Sequence, residues 1–475
     1  MEILRDTFIK KFTQAIREGN AGIFAGAGLS RASGYVDWKN LLKPLAKNVK
    51  LDIEKEKDYL SVAQYYRNES GTRGSINQEI LDTFNAEVGE NENVEIIARL
   101  PISTYWTTNY DKLIERELEK QNRKADVKMD SDQLSTVLAD RDAVVYKMHG
   151  DVEHPAKAVL TKDDYVLYDN KRPLFRTILK GDLISKKLLF IGFSFEDPNL
   201  DYILGQIHAL LGENVAEHYC FFRRVQKSDY DNDEDYGYEK AKQELRINDL
   251  ARYGIQTVFV DDYSEITDVL RDIEAAVKRN NILISGSADD YAGWGKNKAE
   301  ELARKIAIAL VKNNFKITSG FGLGIGSSVV NGALAEIYRS KYKHIGEYLC
   351  LRPFPQGIKD ASEKQKVFTQ YRKDMISDTG VVIFLFGNKK DPTDSSRIIN
   401  ASGCWEEFEI ARNNKNIIIP IGSTGFMAKK IFDEVRTNMD NYKYLENYMD
   451  ALETENDVDK LVDVVIAIVK EQYMA

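Results

Sequence analysis

Five stretches of this 475-residue chain carry residue types and spacings suited to chemistry on a phosphorylated ligand. Gly26-Ala27-Gly28-Leu29-Ser30 follows the apolar run Ile23-Phe24-Ala25. Glycines without Cβ let backbone N–H groups come close to an anion, and a helix beginning near Ser30 would add its positive end. Asn109 closes the β-branched and aromatic run from Ser103, and His149-Gly150-Asp151 closes Ala143–Met148. The first offers a carboxamide to a hydroxyl or water, and the second an imidazole able to take and give a proton. Gly192-Phe193-Ser194 closes a fourth run, Leu188–Ile191, and Gly320-Phe321-Gly322-Leu323-Gly324-Ile325-Gly326 makes a second glycine series. That series lacks the Lys-Ser/Thr of a Walker A loop, which argues against nucleoside triphosphate hydrolysis. Each of these residues has a structural alternative, capping a helix or allowing close packing.

The elements that must position them alternate between strand and helix. After an opening amphipathic helix over about 2–18, strands are expected to end at Ala25, near Asn109, at Met148, at Ile191, and near 218–223 and 255–260. Trp38 to Phe84 reads as mostly helical, broken at Gly71–Gly74, with the Tyr and Leu stripe of 58–66 facing a core. Asp111 can cap a helix over 112–120, and Asp197-Pro198 starts one running to Leu211. The acidic stretch Ser228–Glu239 reads as a solvated loop. Alternation restarts after Lys278, with strands at 282–285, 316–319, 348–351, 381–386 and 417–421 and a terminal helix over 456–472. The expected class is α/β, with two Rossmann-like doubly wound parallel-sheet domains at 1–280 and 281–475.

Composition narrows the partners. A net charge of −9 argues against general nucleic-acid or anionic-membrane binding, and no apolar run is long enough for a membrane span. Three cysteines without a C-x-x-C pair and five histidines without a metal-binding spacing suggest no disulfide framework and no metal. The beginning of the chain does not read as a leader, so a cytoplasmic location is expected.

The first half resembles the sirtuins. Gly26-Ala27-Gly28-Leu29-Ser30, Ser33-Gly34 and Asp37-Trp38 are similar to the sirtuin cofactor loop, Thr107-Thr108-Asn109-Tyr110-Asp111 to its T-Q-N-I-D, His149-Gly150 to its H-G and Gly192-Phe193-Ser194 to its G-T-S. The resemblance implies NAD as substrate, with His149 as general base toward a ribose hydroxyl or water and Asn109 positioning water and ribose. It implies that Ala27, Gly28, Ser30, Asp111, Gly192 and Ser194 hold the dinucleotide, with Asp37 near the nicotinamide. Val36 and Lys39 depart from the loop pattern, and the four-cysteine zinc module of sirtuin deacetylases is absent. What remains is cleavage of the bond between nicotinamide and ribose. ADP-ribosyl transfer or deacylation at the same site, and a non-enzymatic nucleotide sensor, are the alternatives.

The second half resembles the SLOG nucleotide-binding family through Gly286-Ser287, the glycine series, and Gly403-Cys404-Trp405-Glu406-Glu407-Phe408, similar to a G-x-x-x-E-F helix start. The P-G-G-x-G-T-x-x-E string of enzymatic members is missing, which favours a sensor. Sirtuin-like followed by SLOG is the order found in the Thoeris antiphage-defence NAD hydrolases, and the phrases at 105–111, 147–151 and 351–357 are similar to theirs. That resemblance spans the chain. It implies a homo-oligomer, a tetramer or larger, switched on by a cyclic ADP-ribose isomer that a TIR-domain partner makes. It assigns the signal to Gly286, Ser287, Gly322, Leu323, Gly324, Arg372, Lys389 and Glu407. Two cations near strand ends would suit a pyrophosphate, and a carboxylate would suit ribose hydroxyls.

Overall fold

Short runs rich in β-branched and aromatic residues, buried on both faces, make parallel strands covered by helices. In the computed structural model, which describes residues 2–474 apart from Glu87, Glu196 and Glu213, the chain divides into two compact units, Met1–Glu274 and Ala275–Ala475. The strands of the first are β1 (Ala21–Ala25), β2 (Thr104–Thr107), β3 (Ala125–Lys128), β4 (Ala143–Lys147), β5 (Lys187–Ile191), β6 (His218–Arg223) and β7 (Ile255–Val260). They form one parallel sheet in the order β3-β4-β2-β1-β5-β6-β7. The chain leaves β1 in one direction and returns to β5 on its other side. The crevice beyond the C-terminal ends of β1 and β5 is therefore a topological switch point, where open α/β sheets bind ligands.

Helices Trp38–Asn48, Tyr59–Ser70 and Gly74–Phe84 form a cluster that packs on the turns after β2 and β4. Leu41, Leu42, Leu45, Val62, Ile76 and Ile80 pack there with Tyr110. Of the stripe expected over 58–66, Val62, Ala63 and Tyr66 face the core, whereas Tyr65 is exposed. The stretch Ser228–Glu239 corrects the sequence reading. From Asp233 it is the start of a helix, Asp233–Arg252. Asn232 accepts from the Asp235 N–H, and three acidic residues in the first turn favour the positive helix end.

The second unit has its own parallel sheet, β8 (Asn281–Ser287), β9 (Lys316–Ser319), β10 (Leu349–Leu351), β11 (Val381–Phe386) and β14 (Ile417–Pro420), in the order β10-β9-β8-β11-β14. Its switch point lies between β8 and β11, which pair from Ile282–Val381 through Ser287–Phe386. A small antiparallel hairpin, β12 (Asn388–Lys390) and β13 (Ile398–Asn400), follows β11 directly. No helix among the described residues is long and apolar enough to cross a membrane.

Candidate functional site

At the first switch point, backbone meets backbone. Gly26 N–H donates to Ile191 O and Gly28 N–H to Gly192 O, at 2.9 and 2.8 Å. Gly192 adopts φ +64°, and a Cβ there would collide with the Leu29 amide. Only glycine lets the two turns close on each other. Phe24, with its ring 5.0 Å from both Phe190 and Phe193, anchors the pair from below. The helix after the turn is short, Ala27–Arg31, and starts at Ala27, not near Ser30. With the Gly26, Gly28 and Leu29 N–H groups engaged within the fold, the turn offers an anion the start of a one-turn helix and not a long helix dipole.

Polar side chains are stitched across this turn. Asn109 Nδ2 donates to Gly26 O at 3.0 Å and to Ser30 Oγ at 2.8 Å, and Ser30 Oγ donates to Asp111 Oδ2 at 2.7 Å. Both amide hydrogens of Asn109 are thus engaged, leaving its carboxamide oxygen to meet a hydroxyl or water. Asp111 Oδ1 accepts from the Leu113 N–H at 3.0 Å, at the start of the helix Leu113–Lys120. Beneath them lies Lys147, fully buried, whose Nζ donates to the Asp111 carbonyl oxygen and pairs with Glu115 at 2.9 Å and Asp151 at 2.6 Å. Burial works against its charge. The surrounding carboxylates outweigh that and hold the ammonium above its ordinary range.

Hydrogen bonds from Met148 N to Thr107 O and from Val152 N to Tyr110 O, at 2.9 and 3.0 Å, set the His149 turn beside the Asn109 turn. His149 is buried, and its Nε2 lies 2.9 Å from Asp197 Oδ2. Asp197 comes from the loop after β5, so this pair closes the crevice from the opposite side. Burial raises the Asp197 carboxyl, but its contact with His149, the Leu200 N–H and the Tyr165 hydroxyl bring it below the ordinary value. Sequence reading placed Asp197 only as a helix start. Nothing local in a chain separation of this length marks the contact with His149.

Ser194 is exposed, and its backbone oxygen accepts from Arg246. Ala27 and Gly28 line the turn itself. Asp37 accepts from the Asn40 N–H at 2.9 Å and caps Trp38–Asn48, with Arg31 at 4.0 Å.

The second switch point gathers a different set. Gly322 and Gly324 lie so close to the carbonyl oxygens of Gly286 and Ala288 that a Cβ on either would collide with them. Leu323 accepts from the Ala288 N–H at 2.8 Å and leaves its side chain exposed. Ser287 Oγ donates to Asn388 O at 2.8 Å, while Asn388 Oδ1 accepts from Asp289 and Asp290 N–H, each at 2.9 Å. That buried asparagine was not singled out from sequence. It fixes the base of the hairpin that carries Lys389.

Arg372 comes from a helix, Ala361–Ser377, and it meets the C-terminal end of β8 through Glu407 and Ser285. It is 9% exposed. Its guanidinium stacks 4.9 Å from the Phe354 ring, pairs with Glu406 at 2.8 Å and lies 3.4 Å from Glu407. A Cβ at Gly403 would strike it. Glu407 accepts from Ser285 Oγ at 2.5 Å, and burial raises its carboxyl although Ser285 and Arg372 pull the other way. Cys404, pushed up to about 12 by burial, feels the charges of both Arg372 and Lys389. Arg372, Lys389, Glu407 and Gly286-Ser287 therefore converge on one crevice.

Comparison with known proteins gives both halves a match. Residues 103–247 match the SIR2-like domain family, and residues 265–472 match the Sir2- and TIR-associating SLOG family. The chain is 47% identical to NAD(+) hydrolase ThsA of Bacillus cereus (strain MSX-D12) over 443 residues, 93% of this chain and 92% of the relative. It is 46% identical to NAD(+) hydrolase ThsA of Cytobacillus dafuensis over 92% of this chain and 90% of that one. Defense-associated sirtuin 2 of Bacillus subtilis is 27% identical over 55% of this chain and 26% of its own length. With such identity over nearly the full length of both partners, carried on the two sheets and two crevices described above, the chain belongs to the ThsA family of NAD(+) hydrolases.

Proposed function

We propose that the first unit hydrolyses NAD to nicotinamide and ADP-ribose and that the second binds a cyclic ADP-ribose isomer which switches this activity on. Nicotinamide leaves a pyridinium as a neutral molecule, so an oxocarbenium-like state needs stabilisation more than a strong acid. His149 takes the proton of the attacking water or of a ribose hydroxyl. Asn109 orients that water and the ribose through its carboxamide oxygen. Ala27, Gly28, Ser30, Asp111, Gly192 and Ser194 hold the dinucleotide, while Asp37 acts mainly as a cap. The convergence of the glycine turn, Asn109 and His149 on one switch point carries this reading.

In the second unit the stacked Arg372 and the hairpin Lys389 meet a pyrophosphate, Glu407 meets ribose hydroxyls, and Gly286, Ser287 and Gly322–Gly324 supply backbone. Signal binding selects an active state of a homo-oligomer, a tetramer or larger, and a TIR-domain enzyme supplies the signal. Depletion of NAD then serves antiphage defence in the cytoplasm. The reading is tested by incubating the full chain with NAD, with and without cyclic ADP-ribose isomers, and quantifying nicotinamide and ADP-ribose. One isomer is expected to raise release at least about tenfold, a coupling within the usual allosteric range. Intact NAD under every isomer, or ADP-ribose found attached to protein, would overturn it.

A further inference from the structure

We propose that Asp197 is a positioning residue for hydrolysis, holding the His149 imidazole in the tautomer protonated on Nε2 so that Nδ1 is the nitrogen that accepts the proton. The proposal rests on the reading of His149 as the base. Its ground is the division of labour between the two oxygens of one carboxylate. Asp197 Oδ1 accepts from the Asn199 and Leu200 N–H groups, at 2.9 and 3.0 Å, and so caps the helix Pro198–Leu211. Asp197 Oδ2 takes no part in the cap. It faces His149 Nε2 at 2.9 Å and receives the Tyr165 hydroxyl at 3.2 Å.

An ionised carboxylate only accepts hydrogen bonds, so the nitrogen facing it must carry the hydrogen. The imidazole is left with its lone pair on Nδ1. Tyr165 meets the ring edge-on, with centroids 5.4 Å apart and planes at 72°, and this packing fixes the ring plane. His149 and the Asp197 side chain are 4% and 7% exposed, so water does not compete strongly for their contact.

The other groups around the pair leave Asp197 as its dominant charge. Tyr110, Tyr165 and Tyr168 are all raised by burial and stay neutral donors. Arg73 pairs with Asp164 at 2.6 Å, and Arg172 donates to the carbonyl oxygens of Lys147, Met148 and Lys157. On the strand side Lys147 is paired with Asp151 and Glu115.

In the step itself, the oxygen of water bonds to the ribose carbon as the bond to nicotinamide breaks. The electron pair of that bond goes to the ring nitrogen, and nicotinamide leaves neutral. The water proton passes to Nδ1, giving an imidazolium whose charge the ionised Asp197 stabilises, and is then released to solvent. Asp197 keeps its charge throughout.

The test is Asp197→Asn in the full chain. Asparagine keeps the Oδ1 cap but turns an NH₂ toward Nε2, which forces the hydrogen onto Nδ1. With NAD and the activating cyclic ADP-ribose isomer, kcat is expected to fall at least about 100-fold, KM to stay within about threefold, and the thermal midpoint to move by a few degrees at most, by analogy with other His–carboxylate pairs. Selective ¹⁵N-histidine NMR gives a readout that needs no variant. The unaltered chain is expected to show His149 protonated on Nε2 with Nδ1 free. Full kcat in Asp197→Asn, a change confined to KM, or a His149 protonated on Nδ1 in the unaltered chain would overturn the proposal. Continued turnover in His149→Ala would instead bring down the reading of His149 as base. Loss in His149→Ala with full activity in Asp197→Asn would bring down the Asp197 proposal alone.

Discussion

The two glycine turns sit at equivalent places, each beyond the switch point of a parallel sheet, yet their surroundings differ in chemical kind. Around Gly26–Ser30 the side chains can move a proton: a buried histidine with a carboxylate partner, and an asparagine with one face left for a hydroxyl. Around Gly320–Gly326 they can recognise but not readily turn over: a stacked guanidinium, two carboxylates and a serine, with exposed Phe321 and Leu323 on the turn itself. In either place glycines let two turns approach backbone to backbone. Side chains able to take and give a proton decide whether such a turn can also do acid–base work.

The sharpest way to break this contrast is His149→Ala. Nicotinamide release is expected to fall at least about 10³-fold, the scale of a lost general base, while calorimetric binding of the cyclic nucleotide is unchanged. A variant within tenfold of the parent would erase the distinction between the turns.

Acid should separate the units next. His218, buried in β6, accepts from the Leu188 N–H at 3.2 Å and is lowered by burial to about 4. Unfolded, that imidazole takes a proton below its ordinary value of 6.5, and the folded one refuses it until about 4. The contribution is therefore complete above 6.5 and is lost across that window, about 3 kcal/mol in all. Glu407 has the opposite sign. Its raised carboxyl releases its proton later in the fold than in the unfolded chain, so its contribution is full in acid and is lost as pH rises. Denaturant unfolding of His218→Gln is expected to flatten the loss between pH 7 and pH 4, and Glu407→Gln to deepen it. Parallel pH profiles for the two variants would contradict these assignments.

The smallest expected effect separates the turns themselves. Gly192→Ala and Gly322→Ala each force a methyl into backbone, at a local cost of about 1–3 kcal/mol. The first is expected to weaken NAD turnover about tenfold or more and leave cyclic-nucleotide affinity intact, and the second to do the reverse. Kinetics and calorimetry on both variants would show a shared loss if the two crevices served one ligand.

Where the chain packs apolar runs against each other, sequence revealed the fold. β1, β4, β5 and β11 are short, apolar and bounded by turns. β3 escaped notice because Ala-Asp-Val-Lys alternates, with Asp126 tied to Lys128 and Arg141 at the sheet edge. β12 reads as charged loop, since Asn388-Lys389-Lys390 becomes strand only by pairing with 398–400. The helix from Asp233 looked like loop because its acidic first turn is polar. That first turn is held by a cap and the helix end, while the buried side chains Ile247 and Leu250 come later in the helix.

The site divides in the same way. Asn109 and His149 stand at strand ends that an apolar run announces. Asp197 meets His149 from 48 residues away, and Arg372 reaches Glu406 from another helix, pairings that only tertiary packing creates.

The buried Lys147 has a further effect. Its single ammonium lies among three carboxyl groups, Asp111, Glu115 and Asp151, directly beneath the crevice. Its fixed surroundings therefore hold an excess of negative charge in a region of low dielectric. The pyridinium of NAD and the oxocarbenium-like state both carry positive charge, whereas departing nicotinamide carries none. With NAD placed over this crevice as proposed, a standing field of this sign would stabilise the sugar cation and give no hold to the neutral product, so the cluster that fastens two strand ends would also bias the bond toward breaking and the fragment toward release.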